Sequence, residues 1–355
     1  MTVSAARVSL HPRPELARVR GGEKRLRAVA ELSAPADRCA GRSAIVDVPE
    51  IVVDGTPLCA VKLKGVGWTT AYGRFAPPPA ASYFDGGPAR WLSVDYDEAG
   101  RILAEPAEDR PRGALLLRRA RHEDAMLARV RAAGLPAPVP LGCGRFGGLL
   151  FDGRPTGFVI IGLADPLDRR VGEDVLAQEA AIPAGCAAAA DLAAWYVGRV
   201  RRVAALQRRL HRAGFTGNGP HLGNFSADDE GETIHDLDAL EMPAAGGLSE
   251  TRLLGKILRD YCVLAASVGR RACAPPWRPQ RAALMRAVGE GYFGAGAGAS
   301  PEVNAQLDRL EPFDHLRSHP LLQRRGNIFE LPAPLRELMR QAMRNDRPSP
   351  NTEEE

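Results

Sequence analysis

Leu210-His211-Arg212-Ala213-Gly214-Phe215-Thr216-Gly217-Asn218-Gly219-Pro220-His221-Leu222-Gly223-Asn224-Phe225, followed by Ile234-His235-Asp236-Leu237-Asp238-Ala239-Leu240, is the stretch on which the reading of this chain turns. A helical pattern ends in Leu-His. A tight loop of Gly, Pro and Asn follows, then a short apolar strand bounded by acidic residues. This places Asn224 and Asp236 one β-hairpin apart. In that arrangement two oxygen-bearing side chains can converge on one hard cation such as Mg²⁺, which prefers oxygen ligands. Taken singly, Asn224 reads as an Asx-turn residue and Asp236 as a strand-end acid. Their spacing, together with the helix end and Gly223, favours the metal site.

The same stretch resembles the catalytic and metal-binding loops of the protein-kinase-like superfamily, in its aminoglycoside-phosphotransferase branch. The pattern shared is Leu210-His211, Gly214-Phe215, His221, Gly223-Asn224-Phe225 and Ile234-x-Asp236-Leu237-Asp238. The resemblance implies Asn224 and Asp236 as ligands of Mg²⁺ on ATP. It departs at the family's His-Gly-Asp triplet, which falls on Gly217-Asn218-Gly219. The family's catalytic Asp is Gly219 here, which can neither accept a proton nor orient a hydroxyl. His221 and Asp238 are the nearest titratable groups. His221 also reads as a loop-fixing residue, and Asp238 as a further ligand or a helix cap.

Leu58-Cys59-Ala60-Val61-Lys62-Leu63-Lys64 reads as a strand in which Lys62 and Lys64 share one face. It continues into Gly65-Val66-Gly67-Trp68-Thr69-Thr70-Ala71-Tyr72-Gly73-Arg74. That segment resembles selenoprotein O-type pseudokinase adenylyltransferases, with Lys64, Gly65, Gly67 and Arg74 falling on the nucleotide-binding pattern after one inserted residue. The resemblance implies that Lys64 grips nucleotide phosphates. The plain alternative is an edge-strand lysine beside a turn. A helix over 113–133 follows, closed by Gly134 and Pro136. It occupies the place of the kinase helix whose glutamate pairs with the strand lysine, with Glu123 as candidate and Asp124 as second choice.

Ahead of that lysine strand, Asp54-Gly55 marks a hairpin turn. A further hairpin is expected from Trp91–Val94 to Arg101–Leu103. Val139–Gly142 and Thr156–Leu163 read as strands around a Gly-rich turn. Ala164-Asp165-Pro166-Leu167-Asp168 would be a hinge where an adenine ring bonds to backbone, with Asp165 as a cofactor-binding candidate. From Asp191 onward Leu192, Trp195, Tyr196, Val203, Leu206 and Leu210 recur at helical spacing. The arginines between them read as a solvated face.

The 355 residues suffice for a full core, and 45% hydrophobic with 25% charged residues is ordinary for a globular protein. A net charge of +4 gives no ground for nucleic acid or an anionic membrane as partner. Six cysteines without a CxxC spacing show no zinc or disulfide framework, and no apolar run is long enough to span a bilayer. A cytoplasmic protein is therefore expected.

The expected architecture is α+β: a bilobal protein-kinase-like fold with an antiparallel-sheet N-lobe and a mainly helical C-lobe. Residues 1–44 are an N-terminal extension or the first strands, 45–165 the N-lobe, 166–345 the helical C-lobe and 346–355 a disordered tail. The expected function is ATP- and Mg-dependent transfer of AMP or a phosphoryl group to a peptide, protein or small-molecule acceptor. The alternatives are a catalytically dead pseudokinase acting as a nucleotide- or partner-binding module, and a binding module that has kept the fold alone.

Overall fold

The computed structural model describes residues 7–69 except 20, 21, 32 and 41, together with 75–76, 93–96, 102–105, 113–227, 231–242, 249–294 and 333–344. The chain forms two compact units. The first comprises Met1–Trp91, Pro106–Arg169 and Thr233–Leu240; the second comprises Leu92–Glu105, Arg170–Glu232 and Glu241–Glu355. The α+β class expected from the sequence, an antiparallel sheet followed by a mainly helical part, is the class the structure has.

The first unit is built on a seven-stranded antiparallel sheet. Its strands are β1 (Val8–Pro12), β2 (Arg38–Ala40), β3 (Ser43–Val53) and β4 (Thr56–Lys64), with β9 (Leu115–Leu116), β10 (Val139–Phe151) and β11 (Arg154–Leu163). The order is β1-β10-β11-β4-β3-β2, with β9 pairing β11. Two-residue turns join the long hairpins: Asp54-Gly55 and Asp152-Gly153, all four residues with positive φ. That is the turn chemistry a right-twisted hairpin needs. Small pieces β5 (Trp68–Thr69) and β6 (Phe75–Ala76) pair with each other. Leu58, Val61, Leu63, Val139, Leu141, Phe158 and Ile160 are among the residues that fill the core of this unit with side chains from α1 (Gly22–Ala30). Residues 1–44 thus contribute strands and a helix to the sheet unit.

Helix α2 (Leu117–Ala132) lies against β10 and β11. It buries Leu117, Ala120, Glu123, Met126, Leu127 and Val130, and Gly134 follows at φ 71. Glycine absorbs this left-handed step without a Cβ penalty. The helix begins later than the expected residue 113, because Leu115–Leu116 are taken up by pairing with Thr156 and Gly157 of β11.

In the second unit β7 (Ser93–Tyr96) pairs with β8 (Ile102–Glu105). Among the described residues its helices are α3 (Val171–Ala181), α4 (Ala190–Arg212), α5 (Glu250–Ala272), α6 (Arg281–Phe293) and α7 (Ala333–Met343). Tyr196, Val200, Val203, Leu206 and Leu210 form the buried stripe of α4. Gly291 of α6 sits so close to α4 that an added Cβ would stand 2.1 Å from the Arg201 carbonyl oxygen. Ring packing completes this core, with Tyr196 against Trp277 at 5.0 Å and Tyr261 against Tyr292 at 4.9 Å between centroids. Three arginines of α4 are engaged in ion pairs, Arg199 and Arg202 with Glu232 and Arg201 with Glu290. No described helix is long and apolar enough to cross a membrane.

Candidate functional site

In the first unit, Lys64 is the last residue of β4, a strand hydrogen-bonded on both sides. Side-chain alternation puts Lys62 and Lys64 on one face, and both are buried. The Lys64 ammonium lies 2.7 and 2.9 Å from the two carboxylate oxygens of Glu123. It lies 2.8 Å from Asp236 Oδ1. The pairing expected between the strand lysine and Glu123 is formed; the second choice, Asp124, instead takes a bidentate contact from Arg13 at 2.9 to 3.1 Å.

Burial opposes the charge on Lys64, but Asp236 and Glu123 outweigh it and hold the ammonium pKa above the ordinary lysine value. Glu123 is pushed upward by burial, with Asp238 and Asp236 adding to this and Lys64 opposing it. A buried ammonium clasped by two carboxylates stays a cation throughout the neutral range, so it offers a fixed positive charge rather than a proton donor.

Asp236 has φ 55 and ψ 59, a left-handed conformation. An L-residue other than glycine holds it at a cost on the order of 1 kcal/mol. Residues kept in such conformations cluster at ligand-holding positions, because the surroundings must force them. Here the surroundings are helix α2 and strand β4. Besides the Lys64 contact, Arg119 donates to the Asp238 carbonyl at 3.3 Å and its guanidinium lies 3.6 Å from the Asp238 carboxylate. His122 Nε2 bonds the Leu240 carbonyl at 2.7 Å. Asp238 is thus held by Arg119 and stands in the electrostatic surroundings of Lys64 and Glu123.

Several expected ligand groups are otherwise engaged. The Gly65 N–H donates to the Arg42 carbonyl at 3.0 Å, and a Cβ there would meet Leu115 Cγ at 3.0 Å. This glycine is therefore needed where β4 packs tightly on its neighbours, and its amide is spent within the fold. Gly67 has φ 63, so it too makes a turn that favours glycine. Asp165 closes a turn with its own side chain, accepting from Leu167 N at 2.9 Å and Arg169 N at 3.4 Å. Arg74 lies outside the described residues.

In the second unit, the loop after α4 is pinned residue by residue. Thr216 exchanges two backbone hydrogen bonds with Glu241, at 2.9 and 2.7 Å. Gly217 N–H donates to Asp260 at 2.6 Å, and Asn218 and Gln207 form a reciprocal amide pair at 3.0 Å in both directions. Asp260 is fully buried in α5 and also faces His211 Nε2 at 3.2 Å, while His211 Nδ1 meets the Tyr292 hydroxyl. Leu222 N–H donates to the Ser267 hydroxyl at 3.0 Å. His221 caps a short turn, its Nδ1 accepting from Gly223 N at 3.1 Å. That contact is of the loop-fixing kind.

Asn224 donates its side-chain N–H to the carbonyls of Asn218 and Gly219, at 3.3 and 3.1 Å. This orients the amide so that its oxygen faces away from the loop backbone. Gly219 has φ 55, and nothing stands within 4 Å of where its Cβ would be. Asp236 and Asn224 belong to different units and are each placed here within their own.

The Asp236 carboxylate in the first unit and the Asn224 amide in the second are each oxygen donors of the kind that a hard cation prefers. Among the described residues no group of three or more His, Cys, Asp or Glu side chains is placed to hold a metal. A Mg²⁺ bound through one or two protein oxygens, waters and phosphates needs no such cage.

Asp260, Gln207 and Arg119 were not among the residues singled out from the sequence as site groups. Asp260 carried a signal: it is an acid on the apolar stripe of α5, beside Ile257, Tyr261 and Leu264, where an unpaired charge would be untenable.

No protein-family model matches this chain. No curated protein matches it either. Among solved structures, one described as WaaP in complex with acyl carrier protein is 15% identical, with 86% of this chain and 99% of that chain covered at a TM-score of 0.37. A glucosamine kinase in complex with glucosamine, ADP and inorganic phosphate is 12% identical, with 79% of this chain and 84% of that chain covered at a TM-score of 0.32. The Toxoplasma gondii specific rhoptry antigen kinase domain is 10% identical, with 87% of this chain and 81% of that chain covered at a TM-score of 0.33.

Proposed function

We propose that this chain is an ATP- and Mg²⁺-dependent transferase of protein-kinase-like fold, moving a phosphoryl group or AMP onto a peptide, protein or small-metabolite acceptor. The observation that carries the reading is the Lys64 ammonium, buried between Glu123 and an Asp236 held in left-handed backbone. Lys64 and Glu123 are buried while Asp236 is 37% exposed, and burying a charge pair is costly for stability, so such pairs cluster where a site uses them. In this reading Glu123 fixes the ammonium so that it meets nucleotide phosphates as an oriented point charge. Asp236 would be a ligand of Mg²⁺, the role that the sequence reading also gives Asn224. When bound, that ion supplies neutralisation of the phosphate charge that develops during transfer. Transfer of this kind depends mainly on positioning and charge, so it proceeds at reduced rate without a carboxylate base.

A second reading, nucleotide binding without turnover, is favoured by one observation. At 217–219 there is no carboxylate, and Asn218 turns its side chain to Gln207.

Two measurements test these readings. Thermal unfolding with and without Mg²⁺–ATP should show a stabilisation that Asp236→Ala abolishes; no stabilisation of the native protein would leave only a nucleotide-free module. Incubation with ATP labelled separately at the α and γ phosphates, followed by mass analysis of candidate acceptors, separates adenylylation, phosphorylation and mere binding.

A further inference from the structure

Lys62, two residues before Lys64 on the same strand face, carries a second buried charge that the proposed chemistry does not use. Its ammonium lies 2.6 Å from Asp168 Oδ2, with side-chain exposures of 8% and 3%. Asp168 has φ 50, so like Asp236 it is held in left-handed backbone, and its N–H donates to the Asp165 carbonyl at 3.1 Å. The other Asp168 oxygen, Oδ1, stands 4.0 Å from His235 Nδ1. His235 is itself buried and immediately precedes Asp236.

Two lysines of one strand face therefore bracket the dipeptide His235-Asp236. Lys64 reaches Asp236 directly, and Lys62 reaches the side of His235 through Asp168. All of these residues belong to the first unit. A buried ion pair is a poor source of stability, since an apolar pair of similar volume does as well or better. Its attested use is to fix one arrangement among several. The arrangement in need of fixing here is the strained backbone at Asp236.

We infer that Lys62 and Asp168 are positioning residues for Asp236: their ion pair, set against His235, holds the 235–236 backbone in the conformation from which Asp236 meets its ligand. This rests on the proposed function for the nature of that ligand. The positioning itself does not.

The experiment compares Asp168→Asn, Lys62→Met and the double variant Lys62→Met/Asp168→Asn with the native chain. Asn keeps the size of Asp and its tolerance of left-handed backbone. The double variant removes the lone buried charge that each single variant leaves behind, so it folds even where a single variant does not.

Two readouts are taken below the unfolding temperature of each variant. Hydrogen–deuterium exchange of peptides covering 233–240 should be faster in all three variants, with β4 and α2 unchanged. The Mg²⁺ concentration for half-maximal ATP binding should rise about tenfold or more, the usual effect of removing a group that orients a metal ligand. Binding of ATP without Mg²⁺ should not move.

A native chain that ignores Mg²⁺–ATP while its variants show the faster exchange would sink the proposed function and leave the positioning standing. A double variant with native exchange at 233–240 and an unchanged Mg²⁺ requirement would overturn the inference, leaving the ion pair a matter of stability alone.

Discussion

Glu123 and Asp236 stand on one ammonium: Lys64 Nζ lies 2.7 Å from the first and 2.8 Å from the second. The Glu123 carboxylate has 1% side-chain exposure, so it depends on this cation for its charge. In Lys64→Met that dependence becomes visible as a pH effect. Burial already raises the Glu123 pKa, and the variant loses the opposing pull of Lys64. The folded variant then binds a proton that the unfolded chain releases above its ordinary glutamate pKa, so stability falls as pH rises through the interval between the two values. We expect the variant to be clearly less stable at pH 8 than at pH 5, by about 2 kcal/mol or more. Lys64→Met/Glu123→Gln should lose that slope. Urea unfolding across pH 5–8 measures both.

The lysine–glutamate pair was anticipated through the resemblance to kinase-like chains, in which a strand lysine meets a helix glutamate; the local pattern alone left Glu123 and Asp124 both open. Lys64 itself could be placed because it ends an alternating strand before glycines. The Asp54-Gly55 turn was legible from its turn chemistry. At Asp165 the sequence offered a hinge whose backbone meets an adenine ring; the turn that its side chain closes with the Leu167 and Arg169 amides depends on hydrogen bonds that no local pattern announces. The Lys62–Asp168 contact joins residues 106 apart in sequence, and no local pattern announces such a partner.

Asp260 should prove the costliest single side chain in the loop after α4. It accepts from Gly217 N–H and faces His211, with no exposure to solvent. Asp260→Ala strands the buried Gly217 N–H and removes the carboxylate beside His211, whose Nε2 keeps Gln207 at 2.7 Å, and hydrogen bonds to a charged acceptor contribute about 1.5–3 kcal/mol each. A loss of about 3–5 kcal/mol in urea unfolding is expected. Asp260→Asn keeps one acceptor oxygen and should lose about half as much. An alanine variant within 1 kcal/mol of native, an approximate limit, would mean that the loop is held elsewhere.

Gly291→Ala tests the packing of α6 on α4. The added Cβ would fall 2.1 Å from a backbone oxygen and 2.9 Å from Ala204 Cβ, so neither neighbour can simply rotate away. Helix propensity favours alanine by roughly 1 kcal/mol at a helix interior. Overpacking costs typically about 1–3 kcal/mol. A net destabilisation is expected, opposite in sign to what the helix alone would give, and it can be read as a lowered thermal midpoint.

Gly219→Asp asks whether the loop after α4 can take back an acid. The glycine has φ 55, a conformation that aspartate tolerates better than most residues, and the space around its missing Cβ is open to 4 Å. The variant should therefore fold with a loss of no more than about 1 kcal/mol. General-base assistance contributes about 10²–10⁴-fold to a proton-transfer step. If the chain is the transferase proposed above, the variant should turn over ATP faster with hydroxyl-bearing acceptors, and the gain should grow with pH until the new carboxylate is fully ionised. A purely nucleotide-binding chain would gain nothing, because positioning of an acceptor, and not the base, would then be what it lacks. Steady-state release of ADP (phosphoryl transfer) or pyrophosphate (AMP transfer) from ATP by native and variant protein, followed from pH 4 to 8, distinguishes the two outcomes.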